Sequence, residues 1–479
     1  MSSEEETTRA QAAELPGAEE PRVFSGYSHA WRALRHRNFR LFFGGQTISL
    51  IGTWMTRVAT SWLVYRLTGS ALLLGTVSFA GQIPTFLFAP FAGVWVDRLD
   101  RRQVLVWTQA LSMVQSLALA ALTLSHHIAI HWILALSVMQ GIINAFDMPG
   151  RQAFMVKMVE DRNDLSNAIA INSSMVNMAR LVGPSLAGML IAVSSEGWCF
   201  LIDGISYLAV IASLLMMRLH APVVKRKAAS TLTELKAGWT YVSHFVPVRT
   251  ILLLFALVSL MGMPFVVLMP VFAKSVLHGG PHTLGFLMGS MGLGALLSAL
   301  SLAARKNVRG LVRIIPIAAA VFGLGLIGLG LSRHFWLSMA MVFIAGMGMM
   351  QGMAASNTVI QTIVSEDKRG RVMSYYTMAF VGMAPFGSLL AGTMANLRLG
   401  ALGNRLAAHF ANIGLAPFGA WLARTMAHQE GAPWTVIANG SVVLLGAAWF
   451  ATRLPALRRE IRPIYREMGI LPAEEEIQQ

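Results

Sequence analysis

The chain has 479 residues, 55% of them hydrophobic and only 13% charged, with a mean hydropathy of +0.57. A water-soluble domain carries about 25% charged residues. This composition therefore excludes an ordinary soluble enzyme or binding module, and it leaves room for about a dozen membrane-spanning helices of roughly 20 residues each. The net charge of +15 would point to nucleic acid in a soluble chain. Here Lys and Arg cluster between apolar runs, where retention on the cytoplasmic side of a membrane explains them, and no nucleic-acid partner is implied.

Met1 to Arg22 is polar and Glu-rich, with no apolar core, and reads as a cytoplasmic tail rather than a signal peptide. Trp31 to Arg40 is a basic amphipathic lead-in, with Arg32, Arg35, Arg37 and Arg40 beside Trp31 and Phe39, suited to anchoring at the cytoplasmic face. Six apolar runs fit spanning helices at about 41–65, 72–96, 104–124, 132–154, 168–193 and 198–217. A polar connector, 218–249, holds Lys225-Arg226-Lys227 and a helix-like piece over 233–242. Six more runs follow near 250–273, 284–304, 313–331, 335–363, 372–395 and 433–452, then a basic tail, 453–479.

The expected architecture is all-α, with twelve transmembrane helices in two halves. The divisions are 1–40, 41–217, 218–249, 250–452 and 453–479. An even number of spans puts both termini on one side. The basic clusters at Arg98/Arg101/Arg102, Arg151/Lys157/Arg162, Arg305/Lys306/Arg309 and Lys368/Arg369/Arg371 assign that side to the cytoplasm. With one cysteine, Cys199, no intrachain disulfide can form.

Two internal repeats are present. Ser49-Leu-Ile-Gly52, Leu67-Thr-Gly-Ser70 and Leu74-Gly75 recur as Ser259-Leu-Met-Gly262, Leu277-His-Gly-Gly280 and Leu284-Gly285, all at an offset of 210. Glu160-Asp161 and Glu366-Asp367 continue the register at 206. A shared offset implies two parallel six-helix halves. A shorter repeat pairs Met383–Met394 with Leu415–Met426, 32 residues on. It reads as a local duplication. Because an extra single span would place the C-terminal arginines outside, the insert at about 397–430 is expected as an outward-side amphipathic or re-entrant element.

The charged stretch between the second and third spans, Gly93-Val-Trp-Val-Asp97-Arg98-Leu-Asp100-Arg101-Arg102, has the pattern G-x-x-x-D-R-x-x-R-R. Gly93 permits close helix approach, Asp97 can cap the next helix or pair with a basic group, and the arginines suit the cytoplasmic surface. The stretch resembles the signature of the major facilitator superfamily, which implies a conformational latch at Gly93, Asp97, Arg98, Arg101 and Arg102. The matching loop of the second half, Ala304-Arg-Lys-Asn307, lacks the acidic residue. Gly183-Pro184 and Ala187-Gly188 in the fifth span are similar to the motif of the superfamily's antiporters, and this favours export. Asp147-Met-Pro-Gly-Arg151-Gln152, Asn167 to Ser173 and Arg369-Gly-Arg371-Val-Met-Ser374 resemble the branch of enterobactin exporters and drug:proton antiporters. That branch's helix-four arginine is replaced by Ser137, three residues before Gln140-Gly141.

Charges inside spans are costly and face a cavity or a partner. Arg57, Arg180 and Asp203 are the cavity and coupling candidates, with Asp203 the proton carrier. Asp147 and Arg151, four apart on one helix face, are expected to pair near the cytoplasmic end. Gln46, Gln82, Asn144, Asn172, Asn177, Gln351, Asn357 and Gln361 read as interhelical hydrogen-bond partners. The 29 Met and 24 Phe suit packing or an adaptable apolar cavity.

No metal-ligand spacing, nucleophile elbow or phosphate loop is convincing, so no enzyme, cofactor or metal is expected. The resemblance implies a secondary transporter of the inner membrane, monomeric, exporting a drug, siderophore or similar amphiphile by alternating access with protons as coupling ion. The alternatives are a lipid or lysophospholipid carrier and a non-transporting membrane sensor or scaffold.

Overall fold

The computed structural model describes residues 32–159, 161, 164–218, 231–305, 308–397, 405, 408–417, 419–420 and 431–470. After a 3₁₀ turn, Arg32–Arg35, the helices are α1 Arg37–Thr68, α2 Ala71–Arg98, α3 Arg101–Leu124, α4 Ile130–Met158, α5 Leu165–Val193, α6 Glu196–Met216 and α7 Thr231–His244. They continue with α8 Val246–Val276, α9 Pro281–Ala303, α10 Leu311–Leu331, α11 Phe335–Ile363, α12 Glu366–Asn396 and α13 Ala432–Glu467. No strand occurs among the described residues. Eleven of these helices are long and apolar enough to cross a bilayer. The first, α1, has 32 residues and the length to cross, but polar residues along it, Gln46, Thr53, Thr56 and Arg57 among them, make it less apolar than those eleven.

Short turns with local capping join the helices. Gly69 ends α1 in the left-handed region (φ 61), its N–H donating to Tyr65 O at 2.9 Å, and Ser70 Oγ then accepts from Leu73 N at 3.3 Å to start α2. The charged stretch after α2 is more helical than a loop. Helix α2 runs to Arg98 and α3 begins at Arg101, leaving only Leu99 and Asp100 between them. The cap of α3 is Asp100, whose Oδ1 accepts from Arg102 N at 2.9 Å, and Asp97 still belongs to the last turn of α2. The lead-in also differs from expectation. Arg37 and Arg40 form the first turn of α1, so the membrane helix itself extends to the basic end. The connector's helix is α7, and 219–230 lie outside the described residues.

At the C-terminus, the last helix does not stop near residue 452. It continues to Glu467 through Pro455 and Pro463, because Leu457, Ile461 and Tyr465 at four-residue spacing are buried and give the arginine-bearing segment an apolar side. The insert lies largely outside the described residues.

Helices α1 to α6 pack as one group, with α1 along α5 and α6, α2 along α4, and α3 along α4 and α6. In the second group α11 packs on α9 and α10, and α13 on α10. Two crossings join the groups, α2 with α12 and α5 with α9. A Cβ at Gly75 would stand 3.0 Å from Gly392 Cα, and one at Gly285 would stand 2.9 Å from Gly188 Cα. Glycine is therefore required for backbones to meet there. Gly75 and Gly285 are 210 apart in sequence, so the repeat places one contact twice about a pseudo-two-fold axis. Tyr65 Oη and Ser275 Oγ, also 210 apart, meet across that axis at 2.7 Å.

Both crossings lie toward the end opposite Arg101, Arg102, α7 and Arg309, which together mark a basic end. Closer to the basic end, Ser174 and Met178 of α5, Leu300 of α9, and Ser374 and Met378 of α12 are exposed on the faces that carry the crossings. The groups are joined at the far end and diverge toward the basic one.

Candidate functional site

The first group carries its polar interior on α1, α3, α5 and α6. Thr53, Trp54, Thr56 and Arg57 lie within one turn and a half of α1, and Thr53, Thr56 and Arg57 share a face. Asp203 of α6 is 1% exposed. Its Oδ2 accepts from Thr56 Oγ1 at 2.9 Å and from Ser116 Oγ of α3 at 2.7 Å, and its Oδ1 accepts from Thr53 Oγ1 at 3.5 Å. A Cβ at Gly52 would stand 2.8 Å from Asp203 Oδ1, so a side chain there would push α1 off the carboxyl. Among the described residues, three hydroxyls and no basic side chain lie within hydrogen-bond distance of this carboxyl. Hydroxyls can both donate and accept, so the same cage suits the carboxylate and the neutral acid.

Arg57, next to Thr56 on that face, is exposed. Its guanidinium carbon lies 4.7 Å from the centroid of the Trp54 ring, and that of Arg180, near the midpoint of α5, lies 5.3 Å from the same centroid. Cation–π attraction of about 0.5–2 kcal/mol helps hold each cation. Trp54 in turn sits on Gly183, where a Cβ would come 2.5 Å from Trp54 Cβ. Gly183 therefore serves the contact with α1, whereas the Pro184 carbonyl and Gly188 meet Gly285 at the crossing with α9. The Nε of Arg180 is buried without a hydrogen-bond partner, an arrangement that costs about 1–3 kcal/mol for a neutral group and more for a charged one.

Asp147 and Arg151 pair on α4, Arg151 Nη2 donating to Asp147 Oδ2 at 2.6 Å. Thr108 and Gln109 of α3 donate to Asp147 Oδ1 at 2.9 and 2.7 Å, so the pair fastens α4 to α3. Of the latch residues, Arg102 Nη2 donates to Leu215 O at 2.5 Å and ties α3 to the end of α6. The side chains of Gly93, Asp97 and Arg98 lie outside the described residues.

Three features were not singled out in the sequence. One is Trp54, together with the hydroxyls Thr53, Thr56 and Ser116. The second is the far-end pair, in which Arg66 Nε and Nη2 donate to Glu196 Oε1 and Oε2 at 2.7 and 3.1 Å, with Glu196 3% exposed. The third is a basic-end lock. Arg32 and His36 meet the Asp164 carboxylate, the latter at 3.0 Å, and Ala33 N donates to Asn167 Oδ1 at 2.9 Å. Burial works against charge on Asp164, but the His36 hydrogen bond and the Arg32 charge outweigh it and hold the carboxyl below its usual range. Among the described residues, no group of three or more His, Cys, Asp and Glu could hold a metal ion.

The two crossings related by the repeat, with a charged cluster between helices that diverge, are the layout of a two-half carrier, and the family comparison agrees. The family model for the transmembrane secretion effectors of the major facilitator superfamily matches residues 28–411. The chain belongs to this family. It is 27% identical over 360 residues to the staphyloferrin A transporter of Staphylococcus aureus, covering 75% of this chain and 89% of that protein. It is also 27% identical to the multidrug efflux pump Tap of Mycolicibacterium fortuitum, over 72% of this chain and 86% of the pump, and 24% identical to macrolide efflux protein A of Streptococcus pyogenes, over 76% and 91%. Among solved structures, a bacterial homologue of the lysosomal transporter Spinster in an inward-facing, unoccupied conformation matches with a TM-score of 0.63 at 16% identity, covering 89% of this chain and 97% of that one. The nucleoside transporter NupG matches with a TM-score of 0.59 at 14% identity, over 88% and 99%. The protein is a multi-pass membrane transporter of the major facilitator fold.

Proposed function

We propose that this major facilitator protein is an exporter in the inner membrane that moves a small organic molecule, of the drug or siderophore kind, out of the cell by alternating access. Both termini and the basic end face the cytoplasm, in keeping with the charge distribution. Protons supply the driving force in antiport, and Asp203 is the group that carries them. The observation that supports this most is the cage of Thr53, Thr56 and Ser116 around a buried Asp203, beside the arginines Arg57 and Arg180. An intramembrane carboxyl held by hydroxyls, which suit both of its protonation states, can load and unload a proton with little rearrangement. The halves rock about the glycine crossings at the far end, and Gly93, Asp97, Arg98, Arg101 and Arg102 steady one state at the basic end. Three relatives named for siderophore transport, multidrug efflux and macrolide efflux support the substrate range.

The test is efflux of fluorescent amphiphiles from proteoliposomes under an imposed pH gradient. Movement that needs the gradient supports the reading. Movement indifferent to the gradient removes proton coupling, and a protein that moves nothing removes the exporter.

A further inference from the structure

Arg57 and Arg180 are two full positive charges on neighbouring helices of the same half, gathered over one indole ring. Among the described residues, neither lies within ion-pair distance of a carboxylate. The other basic groups for which such a pair exists use it. Arg66 has Glu196, Arg151 has Asp147 and Arg32 has Asp164. The nearest acid of the site, Asp203, is occupied by Thr53, Thr56 and Ser116. The Trp54 ring attracts both cations but accepts none of their N–H groups in the plane of the guanidinium, and each guanidinium presents five. The two like charges also repel each other. A structural role alone would be served better by one cation, or by a cation with an acid.

The site is built to hold this arrangement. Trp54 rests on Gly183, where a Cβ would stand 2.5 Å from its own Cβ. On the other side, a Cβ at Gly292 of α9 would stand 2.9 Å from Arg180 O, so the second half closes against the backbone that carries the second cation. Arg57 is exposed and Arg180 half-buried, with its Nε buried and unpartnered. One cation can meet an entering molecule first and the other can complete its coordination.

We propose that Arg57, Trp54 and Arg180 form the substrate site, and that the transported molecule is an organic oxyanion, its carboxylate or phosphate oxygens bridging the two guanidiniums and its apolar body lying against Trp54. This rests on the exporter reading and gives it a substrate class. Planar forked donors recognise carboxylate and phosphate oxygens in pairs, which a lysine does poorly. The bridge cancels the repulsion between the arginines, so an anion stabilises the assembled site in a way that a neutral or cationic molecule cannot.

The experiment uses the full chain, purified in detergent for equilibrium binding and reconstituted for efflux, with carboxyfluorescein as the anionic probe and ethidium as the cationic one. The wild type is expected to bind carboxyfluorescein, with citrate and lysophosphatidylglycerol as competitors to tell a carboxylate source from a lipid phosphate. Arg57→Gln and Arg180→Gln are each expected to weaken that binding about tenfold or more, as loss of about 1.4 kcal/mol or more does. Arg180→Lys keeps the charge but not the fork. It is expected to bind at an intermediate level, which separates site chemistry from misfolding. Ethidium efflux without carboxyfluorescein binding would overturn the oxyanion site and leave the exporter standing. Carboxyfluorescein binding lost in the glutamine variants, with no probe moved, would keep the site and overturn the exporter. Carboxyfluorescein binding that is equal in all variants would remove the arginines from the site.

Discussion

The two halves descend from one repeat, yet they carry their buried polarity differently. In the first half the buried polar groups include Asp147, Asp164, Glu196 and Asp203, with Gln46, Gln109, Gln115 and Asn177. In the second half, among the described residues, they are Ser, Thr and a single asparagine, Asn439. The contrast is clearest at equivalent places. Asp203-Gly204 begins at the eighth residue of α6, and Asn439-Gly440 begins at the eighth residue of α13. The half that kept the carboxyl also has two arginines beside it. The second half presents α10, α11 and α13 packed on Phe322, Val359 and Phe450. Symmetry is therefore kept at the Gly75–Gly392 and Gly188–Gly285 crossings, where it serves packing, and is not kept at Asp203, whose counterpart is Asn439.

The largest expected effect breaks this contrast at its centre. Asp203→Asn should reduce gradient-driven efflux to the level of protein-free vesicles, while Asn439→Ala should leave it within about threefold, a change under ~1 kcal/mol. Equal losses in the two variants would show that the halves share the work.

Next, Gly188→Leu and Gly392→Leu should act alike, because each overfills the same contact in its two copies. Overpacking costs about 1–3 kcal/mol, read as a lower melting temperature and as faster labelling of the buried Cys199, the chain's one cysteine, at the far end of α6. A large effect in one and none in the other would contradict the equivalence of the crossings.

A smaller effect is expected at the far end of the first half. Arg66→Ala leaves the buried Glu196 without its partner and should cost about 1–2 kcal/mol after allowance for the half-exposed arginine, measured by thermal unfolding in detergent.

The smallest is a pH effect. The folded-state pKa of Asp164 lies below its unfolded value of about 3.9. Its contribution is therefore fully present above about pH 4 and is lost as the pH falls through the lower, folded value. The difference in melting temperature between the wild type and Asp164→Asn should be constant from neutral pH down to about 4 and shrink below it. A difference that grows on acidification would reverse the sign.

The fold was legible because each span is a run of apolar residues bounded by charge or glycine. Its helix starts and ends lie within four residues of the sequence reading, with α11 matching at both ends, except that α12 begins six residues early, at Glu366, and that α13 keeps an apolar side beyond the hydrocarbon, at Leu457, Ile461 and Tyr465. The site was half legible. A charge inside a span is visible in sequence, so Arg57, Arg180 and Asp203 could be named. Their partners could not, because Trp54 and three hydroxyls are ordinary residues until α1, α3, α5 and α6 are brought together. One signal was available: Thr53, Thr56 and Arg57 fall on one helix face, a polar stripe in an otherwise apolar helix. The pairing of Arg66 with Glu196 joins residues 130 apart at two helix ends and has no local signature.

Two-sided labelling tests the central claim, that the first half's charged cluster is exposed to alternate sides of the membrane. Ser173 is exposed and lies seven residues before Arg180 on the same face of α5, and the native Cys199 is buried. Ser173→Cys in oriented vesicles would be treated with a membrane-impermeant maleimide. The expected result is labelling from the cytoplasmic side at rest and reduced cytoplasmic labelling once the gradient is imposed, with Asp203→Asn blocking the change. Labelling that is the same in every condition, or that proceeds from both sides at once, would contradict alternating access.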